Sequence, residues 1–75
     1  MQIWVKTLAA RKTALDVDES TTILDVKKEL NEKEGIDVTQ IRLIHQGKQT
    51  ADASTLGSLG VKAGDQLHMV LALRG

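Results

Sequence analysis

A chain of 75 residues with ten basic and ten acidic side chains, no cysteine, no proline and one aromatic has room for one modest core and no second lobe. Without cysteine there is no disulfide staple, thiolate metal site or cysteine nucleophile, so packing alone must hold the fold. Zero net charge argues against a nucleic-acid binder, which needs a basic excess to displace counterions. No apolar run approaches the roughly 20 residues of a membrane span, so the expectation is a soluble monomer with neither partner.

Residues 1–7 alternate Met1, Ile3 and Val5 against Gln2, Trp4 and Lys6, the period-two pattern of a half-buried strand. Residues 12–18 alternate again, with Thr13, Leu15 and Val17 on one face and Lys12, Asp16 and Asp18 toward water. The short link through Leu8, Ala9, Ala10 and Arg11 makes the two an antiparallel hairpin, without the Asn-Gly or Gly-X chemistry that favours the tightest turns. A helix is predicted over Ile23–Glu34 from the stripe Ile23, Val26 and Leu30. Thr22 is placed to cap it, Asp25 to meet the positive end of its dipole and Gly35 to end it in a left-handed conformation.

Residues 40–45 read as a third strand, with Ile41 and Leu43 on one face and Gln40, Arg42 and Ile44 on the other. Gln46-Gly47 is a tight turn into a brief strand at Lys48 and Gln49. A glycine- and serine-dotted connection carrying Leu56, Leu59 and Val61 leads to the last strand, Gln66–Ala72, with Leu67, Met69 and Leu71 inward and His68 and Val70 outward. Residues 73–75 are left as a flexible tail to a single domain spanning 1–75. Strand, strand, helix, strand, short strand, strand calls for an α+β fold: a β-grasp roll in which one amphipathic helix crosses one face of a mixed sheet. Its first and last strands are expected to lie in the middle as parallel neighbours.

Apolar residues on the solvent side of a strand are informative when they cluster. Adjacent third and last strands would put Ile44, His68 and Val70 on one face, with Leu8 at its edge and Arg42, Lys6, Lys48 and Gln49 around it. That face suits docking of other proteins' helices; stray surface hydrophobes or a homodimer contact would present the same pattern. Trp4 also points outward. Catalytic chemistry is scarce: His45 and His68 have no ligand set at metal spacing, the serines lack a nucleophile elbow, and no phosphate-cradling glycine loop appears, so neither an enzyme nor a cofactor is expected.

The segments Met1 to Leu8, Lys33-Glu34-Gly35-Ile36, Arg42-Leu43-Ile44, Gly47-Lys48-Gln49, Leu67-His68 and Leu73-Arg74-Gly75 resemble the ubiquitin family, in one register along the whole chain. The resemblance implies the β-grasp fold and a protein modifier, attached through its C-terminal glycine to target lysines by an isopeptide bond. Leu73, Arg74 and Gly75 would form the conjugation tail. It assigns Leu8, Ile44, His68 and Val70 to the partner-binding patch, which Arg42 and Gln49 extend by their place on the same face; Trp4, with Gln2 beside it, is read from its outward position as a second surface, packing against the hairpin turn being the other reading. The implied partners are activating, conjugating and ligase enzymes, deconjugating proteases and ubiquitin-binding domains, in cytoplasm and nucleus.

Where the chain departs from ubiquitin, its tail Leu71-Ala72-Leu73-Arg74-Gly75 is similar to that of the NEDD8 branch, and Ala72 takes the position by which activating enzymes tell the modifiers apart. Lys48, Lys6, Lys27 and Lys33 occupy chain-linkage positions, Lys48 being the foremost acceptor candidate. Trp4, His45 and Leu59 replace the family aromatics, and Glu19, Asp37 and Val38 its prolines. One terminal glycine rather than two leaves an alternative: a non-conjugated ubiquitin-fold binding module or an engineered ubiquitin variant.

Overall fold

In β1 (Gln2–Lys6), Ile3 and Val5 are wholly buried while Gln2 and Trp4 face water, the division that period-two alternation prescribes. The computed structural model describes residues 1–7 and 11–72. Strand β2 (Lys12–Asp16) runs antiparallel to β1, pairing Ile3 with Leu15 and Val5 with Thr13, so both strands turn the same parity inward. The expected turn joining them lies at residues 8–10, outside the described residues.

Helix α1 (Ile23–Glu34) starts and stops where its local chemistry dictates. The Thr22 hydroxyl accepts from the Asp25 amide at 3.2 Å, and the Asp25 carboxylate accepts from the Thr22 amide at 3.4 Å, a reciprocal box that satisfies two amides at the helix entrance. Gly35 ends the helix at φ +69°, its amide donating to the Asn31 carbonyl at 2.8 Å. Ile36 then packs back on the core, and its carbonyl accepts from the Asn31 side chain at 2.7 Å.

The buried stripe is wider than the three apolar residues suggest. Lys27 joins Ile23, Val26 and Leu30 in the interior, completing the i, i+3, i+4, i+7 face of a core-facing helix. Its ammonium reaches out of the core to an ion pair with the Asp52 carboxylate, which lets a cation occupy a position that geometry reserves for an apolar side chain.

Residues 38–40 form a short 3-10 turn rather than the beginning of a strand, which moves Gln40 out of the predicted strand. The cause is Asp37, whose carboxylate accepts from the Thr39 amide at 2.9 Å and from the Thr39 hydroxyl at 2.8 Å and so closes the turn. Those bonds, the amide foremost, hold the Asp37 carboxyl below its ordinary pKa. Strand β3 (Ile41–His45) follows, and Gln46 (φ +52°) and Gly47 (φ +79°) make a two-residue turn with both central residues left-handed, the hairpin geometry that matches strand twist. It leads into β4 (Lys48–Gln49). Strand β5 (Gln66–Leu71) stops one residue earlier than predicted; beyond it the Ala72 amide still donates to the Gln40 carbonyl at 2.7 Å.

The five strands lie in the order β2-β1-β5-β3-β4, with β5 parallel to β1 and antiparallel to β3. This is the β-grasp arrangement, a mixed sheet with α1 across one face. Among the described residues, thirteen apolar ones from both layers and the connecting segments form one core, in which Ile3, Val5, Ile23, Val26, Leu30, Leu56 and Leu67 lose all contact with solvent. The connection that precedes β5 also anchors the helix entrance: the Ile23 amide donates to the Ser54 carbonyl at 2.9 Å and the Leu56 amide to the Thr21 carbonyl at 2.9 Å. Gly57 permits this approach, because a Cβ there would stand 3.1 Å from the Glu19 carbonyl oxygen.

Candidate functional site

With the helix on one side, the even-numbered residues of β1, β3 and β5 are left on the other. The register decides which of them meet. Lys6 lies opposite His68, His68 opposite Ile44, and Ile44 opposite Gln49, forming one row across β1, β5, β3 and β4. At an interstrand spacing of about 4.8 Å that row spans about 14 Å. Arg42 lies opposite Val70 in the next row, and along β5 His68 and Val70 are two residues apart on the same face.

The face offers an apolar centre in a polar frame. Val70 is 39% exposed and Ile44 half-buried, while Arg42, Gln49 and His68 are exposed around them. β3 and β5 are each paired on both sides, so Arg42, Ile44, His68 and Val70 stand on a fixed backbone and present a preformed surface. Leu8, expected at the edge of this surface, lies outside the described residues, as do the tail residues Leu73, Arg74 and Gly75. The Ala72–Gln40 hydrogen bond lies just past the end of β5 that carries Val70.

A family model described as the ubiquitin family matches residues 3–74. The chain belongs to the ubiquitin family. It is 45% identical to Ubiquitin-like protein 1 of Schizosaccharomyces pombe, over the whole of this chain and 96% of that protein. Similarity is nearly as high to Ubiquitin-like protein NEDD8 of Dictyostelium discoideum (43%) and to NEDD8-like protein RUB1 of Saccharomyces cerevisiae (44%), each over the whole chain and 97% of the relative.

Among the positions singled out in the sequence, the four candidate acceptor lysines differ most in setting. Lys48 is exposed on the edge strand, and its register partner is His45, so Gln49 rather than Lys48 faces Ile44. Lys33 is exposed, with its ammonium on the Ala14 carbonyl at 3.1 Å, and Lys6 is half-buried in the cross-strand row. Lys27 is set apart from all three by its burial and its pairing with Asp52.

His45 also belongs to the interior: it continues the inward parity of Ile41 and Leu43, with its Nε2 3.9 Å from the Asp65 carboxylate. The parity of β3 carries that information in the sequence, although a histidine does not advertise a core position. Trp4 is 36% exposed, flanked across the ladder by Ala14 and Gln66, and Gln2 is exposed beside it on β1. Among the described residues, no group of three or more histidines or carboxylates is placed to hold a metal ion.

Proposed function

We propose that this chain is a protein modifier of the NEDD8 type, joined through its C-terminal glycine to lysine amines of target proteins and recognised through the Arg42, Ile44, Gln49, His68 and Val70 face. The observation that supports the reading most directly is the cross-strand register, which gathers an exposed apolar centre on rigid strands in a chain that matches NEDD8-type relatives from end to end. In this reading the protein is a substrate and signal, and the chemistry is done by its enzymes. An activating enzyme converts the terminal carboxylate to an acyl adenylate with loss of pyrophosphate, and an enzyme thiol then displaces AMP to give a thioester. A lysine amine finally displaces the thiol, forming the isopeptide bond. Glycine at the terminus admits the tail to narrow enzyme channels, with Leu73 and Arg74 gripping just before it and Ala72 directing it toward a NEDD8-type activating enzyme. Lys48, exposed on an edge strand, is the favoured acceptor for chain extension, and cytoplasm and nucleus are where the partners would meet it.

The test uses a form carrying one further glycine after Gly75, incubated with ATP and either the NEDD8- or the ubiquitin-activating enzyme. A thioester sensitive to reducing agent is expected with the former; none with either enzyme rules the reading out. In parallel, Ile44→Ala should weaken binding to a helical ubiquitin-binding domain by about tenfold or more, the usual cost of losing a central apolar anchor.

A further inference from the structure

The modifier reading uses the β3–β5 half of the outer face. The β1–β2 half has a character of its own. Lys6 and Lys12 are direct cross-strand partners, and the same row continues to His68. Two like charges so placed repel, at a cost to the sheet. Among the described residues, neither lysine has a carboxylate within ion-pair distance. The carboxylate on this face, Asp16, lies at the far end of β2 and stands 3.7 Å from the N-terminal ammonium of Met1. In a molecule of zero net charge, this half of the face is locally cationic.

Beside the cationic row stands the chain's lone tryptophan. Trp4 is two residues from Lys6 on β1, is 36% exposed and sits opposite Ala14, whose side chain is a single methyl. An aromatic anchor next to unneutralised ammonium groups is a combination suited to a partner that brings an apolar side chain flanked by carboxylates.

We infer that the Trp4, Lys6, Lys12 and Ala14 surface docks an acidic protein segment, its carboxylates bridging Lys6 and Lys12 and an apolar side chain lying on Trp4 over Ala14. A second copy of this chain laid face to face would set lysine against lysine. A nucleic-acid strand would want a longer track of cations than two lysines and a histidine. The surface does not depend on conjugation or on Ile44, so it stands or falls separately from the modifier reading.

Trp4 serves as its own reporter, being the chain's single source of indole fluorescence. The probe is a synthetic octapeptide of glutamates interrupted by two leucines, titrated against the full chain at low and at high ionic strength. The expected result is a saturable change in Trp4 emission that weakens as salt screens the charges. Lys12→Glu and Lys6→Glu should each lower affinity by about tenfold or more, as like-charge juxtaposition requires, and Ile44→Ala should leave it unchanged. Lys12 is exposed, so its variant keeps the fold, which circular dichroism checks. Absence of a saturable change, or binding indifferent to both reversals, overturns the inference. So does loss of binding in Ile44→Ala, or tighter binding of a ten-nucleotide thymidine strand than of the peptide. Self-association of the chain that Lys12→Glu abolishes would assign the surface to a second copy and overturn it equally.

Discussion

At the scale of single residues, the molecule keeps side chains that stability alone would not select. Lys6 facing Lys12 is the clearest case, because cross-strand partners sit close enough for their charges to interact and here they have the same sign. Replacing Lys12 by glutamate converts repulsion to attraction at an exposed site and leaves the core untouched. Lys12→Glu should therefore raise stability by about 0.2–1 kcal/mol, read as a higher urea midpoint at unchanged slope and diminished at high salt. The same variant would weaken docking of an acidic segment while strengthening the sheet, so one substitution separates what this position does for the fold from what it does for recognition.

At the scale of elements, the contacts that join α1 to the connection before β5 are uneven in what they risk. The Lys27 side chain keeps 11% of its exposure and that of Asp52 55%, so desolvation costs the ammonium more than the carboxylate. Removing the carboxylate strands an ammonium inside the helix–loop contact, whereas Lys27→Met leaves a half-exposed carboxylate that water serves. Asp52→Ala should destabilise by about 2 kcal/mol and Lys27→Met by clearly less, measured by urea denaturation. Equal losses would mean that the buried ammonium is solvated without its partner.

The same elements show what the sequence discloses. The bounds of α1 are readable because Thr22, Asp25 and Gly35 act on the backbone within a few residues of themselves. The Gln46-Gly47 turn is readable because its two left-handed residues announce it. Lys27 and His45 are harder to place: periodicity puts both inside, but residue type suggests water, and the features that decide their setting lie far along the chain at Asp52 and Asp65. The patch is intermediate. That Ile44, His68 and Val70 face outward follows from alternation, whereas their meeting in adjacent rows depends on a register that no local signal sets. Alternation also extends β3 to Gln40, where the local hold of Asp37 on Thr39 is stronger and keeps that residue in the turn.

At the scale of the whole molecule, one small core must hold the whole outer face of the sheet rigid. A domain of this length has about 4–11 kcal/mol of stability in all, from the usual 0.05–0.15 kcal/mol per residue. Its most consequential strand is β5, paired with β1 on one side and β3 on the other, so that the row containing Lys6, His68 and Ile44 exists only while β5 is seated. Leu67 seats it: the side chain is wholly buried, and its neighbour across the parallel pair is the equally buried Val5. Leu67→Ala should cost about 2–5 kcal/mol, a large share of the total, because the hole opens where the strand is held from both sides. Leu71 lies near the sheet's end and is only half-buried, so Leu71→Ala should cost less than half as much. Chemical denaturation of the two variants beside the parent chain tests this directly: the midpoint should fall far more for Leu67→Ala, and equal shifts would deny β5 its central place. Because His68 and Val70 stand on the same strand, Leu67→Ala should also weaken partner binding at the outer face without altering any residue on it, in proportion to the fraction unfolded at the assay temperature.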